Sequence, residues 1–456
     1  MTDQATVPHA PGGLPLLGHA LSLVRDPLAF LKSLPRHGDL VRIRIGPAAA
    51  IVICDPELTR DVLRDDRTFD KGGVVIDAVR EAVGDGITTS PRSIHRRLRR
   101  LAQPAFHHAR LTGYAHAMTA QIDATTAGWR RGQVLNVPAE MLSLTMKVAA
   151  ETMLSGTLSP VALSQAIADL NVLLAGMYRR TITPPRLKRL STPANRRHFQ
   201  ARSRLQQTIE AIVVERRTSA TGRDDLLESV LNARDLAAEG NGQLPTVTEV
   251  RDQILTYFNA GSETLSNLLS WTLHLLAHHP DVEERLHSEV DAVLAGSPAT
   301  LEHLPELELT SRILTETLRL YPPSWIITRS TTAKTILGHH LIPAGTTLVY
   351  SPYVIHHRSD LYQDPEKFDP DRWTTSPPPP HAFIPFGGGA RKCIGDQFAL
   401  TEASLALATI ANRWTLRPAG NHSVRPTPAI TLRPRGLRML LIRRGTVMDQ
   451  EETSHK

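Results

Sequence analysis

A mainly α-helical fold with a smaller β-rich region is predicted by three observations. From Leu111 to Asp235 the apolar residues recur with a helical period, punctuated at Gly128, Gly132, Pro160 and Pro184-Pro185. Val247 to Ala277 carries the longest such run, through Ile254, Leu255, Phe258, Leu265, Leu268, Leu269 and Leu275. Strand-like patterns are confined to short stretches, at Leu40 to Ile45, Ala50 to Cys54, His339 to Pro343 and Thr346 to Tyr350. The 456 residues contain no low-complexity linker, so one large domain over 19–445 is expected. A proline-rich lead-in over 1–18 precedes it, and a polar, frayed tail over 446–456 follows.

Composition narrows the function classes. The two cysteines, Cys54 and Cys393, are far apart, which argues against a disulfide framework and for a reducing compartment. The N-terminal residues lack both a signal-peptide pattern and an apolar run long enough for a membrane anchor, so a cytoplasmic protein is expected. A net charge of +7 admits nucleic acid, a membrane surface or an acidic protein as partner. No zinc-finger spacing or basic heptad supports nucleic acid.

In chain order, a helix is expected near Pro27 to Leu34, then a hairpin broken at Gly46-Pro47, then a helix opened by Asp55-Pro56. Phe69 to Ser90 sets Val74, Val75, Ile76, Val79 and Ile87 among Gly72, Gly73, Gly84 and Gly86, which reads as a mobile segment with an oily face. Ser93 to Leu101 is a basic helix with His95 and Arg99 one turn apart on one face. The centre of the 247–277 helix, Ala260-Gly261-Ser262-Glu263-Thr264, is costly for a helix. Glycine there is about 1 kcal/mol worse than alanine, so either the helix bulges or something approaches the backbone. A kink satisfied by Thr264 bonding back to a carbonyl is the plainer account. Glu316 and Arg319 stand three apart on a helix that ends at Pro322-Pro323.

The last motif is Phe386-Gly387-Gly388-Gly389-Ala390-Arg391-Lys392-Cys393-Ile394-Gly395, followed by an apolar helix from Phe398 to Ile410. Glycines permit tight turns and close approach to a flat ligand. Arg391, Lys392 and the next helix N-terminus are expected to favour the thiolate, the metal-binding form of cysteine.

This spacing resembles the cysteine loop of the cytochrome P450 haem-thiolate monooxygenases, and the other motifs agree in order along nearly the whole chain. The resemblance implies a P450-type domain binding haem b through Cys393 as the iron ligand. Phe386, Arg391, Gly395 and Gly261 would lie against the cofactor, and His95, Arg99 and Arg329 would meet its propionates. Dioxygen would enter the groove at Ala260 and Gly261, with Glu263 and Thr264 in proton delivery. A buried Glu316–Arg319 pair would link to Arg372. The apolar set Val74, Val75, Ile76, Val79, Ile87, Phe258, Ala260, Ile326, Ile327 and Ile430 would line the substrate pocket, with Trp325 beside it. Electrons would come from NAD(P)H through a ferredoxin reductase and a ferredoxin, the latter drawn to Arg96, Arg97, Arg100 and Lys392. A monomer is expected.

The activity implied is insertion of one oxygen atom of O₂ into an unactivated C–H bond of a hydrophobic small molecule. Phe69 to Gly73, Gly176 to Arg180 and Pro193 to Arg197 are similar to stretches of actinobacterial terpene hydroxylases, which implies a cyclic sesquiterpene or diterpene. Another apolar substrate (macrolide, steroid or fatty acid), a peroxide-driven enzyme and a non-catalytic haem carrier or sensor are the alternatives. The Glu263–Thr264 pair counts against the last two.

Overall fold

The computed structural model describes residues 6–183, 188, 190–219, 223, 225–234, 244–420 and 423–445. The expected tail, residues 1–5 of the lead-in and part of the basic stretch from Arg179 to Arg197 lie outside them. Helices α1 (Val74–Val83), α2 (Arg92–Ala102), α3 (Val137–Leu154), α4 (Pro160–Ile182), α5 (Pro193–Thr218), α6 (Val247–His278), α7 (Glu308–Leu320) and α8 (Asp396–Arg413) make most of the body. Their apolar faces merge into one large core that includes Met118, Val148, Leu174, Val213, Ile254, Leu269, Leu314 and Leu405. Helix α6 is opened by a reciprocal Thr246–Glu249 capping box and packs along α3.

The β-rich region is a five-stranded sheet in the order β1-β2-β5-β4-β3, built from β1 (Leu40–Ile45), β2 (Ala48–Ile53), β3 (Phe69–Lys71), β4 (Ile327–Thr331) and β5 (Thr347–Tyr350). The expected hairpin forms, Leu40 facing Ile53 and Ile45 facing Ala48. Strand β5 runs parallel to β2, while β4 joins β5 and β3 antiparallel. The two-residue period sorts side chains to opposite faces. Leu40, Ile51, Ile53, Leu348 and Tyr350 enter one core cluster, whereas Val41, Ile43, Val52 and Val349 enter another. Trp325 is buried in that second cluster with its indole N–H on the Ala429 carbonyl, so it is structural rather than a pocket wall. Near the C-terminus β6 (Arg425–Pro428) and β7 (Leu432–Arg435) form a separate hairpin.

The segment from Phe69 to Ser90, expected as a mobile stretch with an oily face, forms regular elements packed against the helical core. It is strand β3 followed by helix α1, clamped onto α6. The Asp252 carboxylate accepts from Asp85 N–H at 3.1 Å and the Gln253 side-chain oxygen from Ile87 N–H at 3.0 Å. A Cβ on Gly86 would sit 1.9 Å from Thr256 Oγ1, and one on Gly84 2.2 Å from Asp252 Oδ2. These glycines therefore mark close contact between two elements. The buried guanidinium of Arg180 on α4, bonded to Glu81, fixes the other side of α1.

Among the described residues one helical stretch, Pro160–Thr181, is long and apolar enough to cross a bilayer. It packs against α1 and α5 within the fold.

Candidate active site

The cysteine loop is shaped by its contact with a neighbouring helix, Pro56–Arg64. Gly389 has a left-handed φ of +62°, and a Cβ there would fall 2.0 Å from the Leu63 carbonyl oxygen. Only a glycine can take that φ at that approach. Cys393 N–H donates to the Phe386 carbonyl at 2.9 Å and closes the turn, three residues before α8 begins.

The loop's charges are not spent on the sulfur. Arg391 donates to Asp70 at 2.6 Å and to the Ser90 carbonyl at 2.8 Å. Lys392 pairs with Asp396 at 2.6 Å. The Cys393 thiol, exposed in this structure, is held above its ordinary range by desolvation and the Asp396 charge, against the Gly395 backbone N–H, Arg99 and Lys392, which favour the thiolate. A bound metal cation is what deprotonates such a thiol.

Helix α2 and strand β4 complete one side. His95 is buried, and Arg99 reaches the Lys392 carbonyl at 2.6 Å, tying α2 to the cysteine loop. Desolvation, with the charges of Arg391, Arg99, Lys71 and Arg329, pushes the His95 imidazole down to about 3, which places four cations around one ring. His95 Nδ1 and Arg329 Nε and Nη1 are buried without a hydrogen-bond partner among the described residues. Unpaired buried donors beside an excess of positive charge fit an anionic ligand, and haem brings two carboxylates.

Helix α6 faces this region through a narrow window. Between Asp252 and Leu273 every residue is buried except Asn259, Ala260, Gly261 and Thr264. Ala260, Gly261 and Thr264 share a face by helical spacing. A Cβ on Gly261 would meet only Met153 Cε, at 3.9 Å. The helix continues through this point without a bulge, and Thr264 Oγ1 donates back to the Ala260 carbonyl at 2.5 Å. Glu263, next to the window, is buried. Its Oε1 accepts from Thr431 Oγ1 at 2.6 Å and from Arg433 Nε at 3.0 Å, and Asn267 supports Thr431 at 2.9 Å. Arg433 and Asn267 were not singled out from the sequence, and Thr431 only as part of a pocket wall, Ala429 to Thr431. No local pattern announces an ion pair whose members are 170 positions apart.

Of the expected pocket residues, Phe258 lines an apolar cavity with Ala82, Val83, Leu170, Leu173 and Leu205. Ile76, Val79 and Ile87 are buried, while Val75, Ala260, Ile326, Ile327 and Ile430 are half-buried. Val74 is 55% exposed at the start of α1 and stands apart from this set. The roof residues Leu170, Leu173 and Leu205 went unnoticed because they read as ordinary helix cores.

On α2, Arg96 and Arg100 are exposed, whereas Arg97 pairs with Glu249 of α6 and is partly buried, so it does not simply face outward. Glu316 lies fully buried between Arg319 and Arg372.

The cytochrome P450 family model matches residues 8–441. The chain is 45% identical to pentalenene oxygenase of Streptomyces avermitilis over 95% of its own length and 97% of that protein. It is 44% identical to cyclooctat-9-en-7-ol 5-monooxygenase of Streptomyces melanosporofaciens, over 90% of this chain and 89% of that one. The crystal structure of the cytochrome P450DA heme domain superposes with a TM-score of 0.86 at 27% identity, covering 97% of this chain and 98% of that one. A cysteine loop tied to a cationic carboxylate site, opposite a helix with a Gly-x-Glu-Thr window, and a family match spanning almost every residue lead to one conclusion: the chain belongs to the cytochrome P450 family of haem-thiolate monooxygenases.

Proposed function

We propose that this enzyme hydroxylates a cyclic sesquiterpene or diterpene in secondary metabolism, as a cytoplasmic monomer supplied with NAD(P)H electrons by a ferredoxin and its reductase. One observation carries the reading furthest. A buried acid is held in a fixed position beside the α6 window, next to the Thr264 hydroxyl, an arrangement useful for proton delivery and of no use to a carrier. Printed names of relatives in terpene pathways, and the absence of a charged side chain among the candidate pocket residues, support the substrate class.

Cys393 would hold the iron, with His95, Arg99 and Arg329 on the propionates. Arg391 would act indirectly, by fixing the loop to Asp70. Bound haem supplies activation of dioxygen, the chemistry no side chain can provide. The chain's own residues do the rest. Phe258, Ile326, Ile327 and Ile430 exclude water and orient an apolar substrate. Thr264 places its Oγ1 at the window, with its proton donated to the Ala260 carbonyl until an acceptor enters the groove. Glu263, anchored through Oε1 by Thr431 and Arg433, is held beside the window, where its carboxylate can accept a proton from water and pass it toward Thr264.

Incubation with cyclic terpene hydrocarbons and a surrogate ferredoxin system, followed by mass analysis, tests the assignment. Hydroxylated terpene is the expected product; turnover of a macrolide, steroid or fatty acid with none of the terpenes would overturn it.

Two further results are expected. Thr264→Ala keeps haem, the substrate-induced spectral change and most reductant consumption, while hydrogen peroxide rises severalfold at the expense of product. Glu263→Gln slows turnover by roughly 10²-fold, the low end of what a positioned acid or base contributes. An unchanged ratio of product to reductant in Thr264→Ala would reduce that residue to a helix-stabilising role. Separately, electron transfer from an acidic ferredoxin should fall steeply with ionic strength, since Arg96, Arg100 and Lys392 flank the thiolate side. Rates indifferent to salt and to the double reversal Arg96→Glu with Arg100→Glu would place the docking face elsewhere.

A further inference from the structure

Asn259 belongs to the α6 window but has no part in the account so far. It is half-buried, and its side-chain oxygen is enclosed without a hydrogen-bond partner. Neighbouring polar side chains of the helix are occupied. Thr256 Oγ1 donates to the Asp252 carbonyl at 2.7 Å and Ser266 Oγ to the Glu263 carbonyl at 3.0 Å, while Thr264 bonds to Ala260 and Asn267 to Thr431. Ser262 Oγ is also unpartnered, but Ser262 is fully buried beside α3, where its carbonyl accepts from Thr145 Oγ1 at 3.0 Å. Residues four apart stack along one ridge of a helix. Asn259 therefore stands one turn after Leu255, which lines the apolar cavity with Phe258, and one turn before Glu263. Asparagine is a poor helix former, and a buried amide without a partner is costly, so packing gives no reason for it here.

We propose that Asn259 reads an oxygen substituent on the substrate, so that the enzyme takes a cyclic terpene already carrying a hydroxyl or carbonyl group. The inference deepens the terpene reading and rests on it. A primary amide offers an acceptor and two donors, so one side chain can accept from an alcohol or, turned over about χ2, donate to a ketone. Val79, Phe258, Ile326 and Ile430 offer a hydrocarbon skeleton no directional contact. A polar contact on the α6 ridge fixes which end of the skeleton is held there, and so which carbon is presented at Ala260 and Gly261. The reaction that supplies this substrate must itself set an oxygen on the ring system, by capture of water during cyclisation or by an earlier oxidation.

The test titrates the holoenzyme and its Asn259→Leu variant with matched pairs of hydrocarbon and alcohol, cedrane with cedrol and kaurane with kauranol. Asn259→Ala takes the place of the leucine variant if that does not accumulate. The substrate-induced spectral change gives Kd, and mass analysis gives the products. The wild type should bind the alcohol of a pair roughly tenfold more tightly than the hydrocarbon, the worth of a hydrogen bond that satisfies an otherwise unpaired amide. It should convert the alcohol to a single diol and the hydrocarbon to several alcohols. Asn259→Leu should reverse the preference in Kd. Equal affinities within every pair in the wild type would overturn the proposal. So would a preference for the alcohol that survives Asn259→Leu, which would move the contact to Arg202 on the same cavity. Failure to bind either member of any pair would instead overturn the terpene reading itself.

Discussion

Cys393→His should yield a protein that still takes up haem and makes no detectable hydroxylated product. Imidazole donates less electron density to iron than thiolate does, and that donation is what favours cleavage of the O–O bond. The surroundings of Cys393 sharpen the expectation. Its backbone is fixed by the Phe386 carbonyl and by the approach of Gly389 to Leu63, so the loop presents whatever side chain stands there at the same place. Cysteine binds metal as the thiolate, so binding releases the thiol proton, and haem uptake should weaken toward acid pH. The decisive measurement is the carbon monoxide difference spectrum of the reduced protein. A wild-type spectrum typical of a His-ligated haem would remove Cys393 as the ligand.

Glu316→Ala should leave little folded holoprotein. Both carboxylate oxygens are committed: Oε1 accepts from Arg319 Nη2 at 2.8 Å, Arg372 Nε at 2.9 Å and Asp369 N–H at 3.1 Å, and Oε2 accepts from Arg319 Nε at 2.8 Å and Trp373 Nε1 at 3.1 Å. The two arginines also hold carbonyls of His356, Pro365 and Lys367, and of Gln363, so this centre organises the chain leading to the cysteine loop. Removing the carboxylate strands two buried guanidinium groups, at a cost of about 3–5 kcal/mol. That is a large share of the stability of a typical domain. Glu316→Gln, which keeps the shape and one acceptor, should be milder. Normal haem content and an unchanged thermal midpoint in Glu316→Ala would mean the centre contributes little.

What the sequence disclosed and what it hid follow from the range of the interactions. The cysteine loop, the Glu316–Arg319 pair and the Gly261–Thr264 stretch are local patterns, and so are the hairpin at Gly46 and the long apolar period of α6. All were legible. The surroundings of the sulfur were harder to read, because Arg391 and Lys392 look like its partners, while Asp70 and Asp396, which pair with them, declare nothing by themselves. Gly84 and Gly86 were taken for hinges because a glycine signals freedom and close contact with the same letter. Only the position of Thr256 and Asp252 beside them decides between the two. Arg433 was overlooked since it matters through Glu263, far away in the chain.

That long reach bears on how the protein is made. The carboxylate of Glu263 finds its partners 168 and 170 positions later, Arg99 meets Lys392 across 293, and Asp70 meets Arg391 across 321. Loop-closure entropy must be met before such contacts stabilise anything, which slows folding. On the ribosome, α6 emerges long before β7, so its central acid stays without Thr431 and Arg433 until the chain is almost complete. The helices synthesised first cannot close fully around it. A nascent chain stopped just short of Thr431 would carry Cys393, Thr264 and all four cations around His95, and would still hold a carboxylate in an apolar helix with nothing to neutralise it.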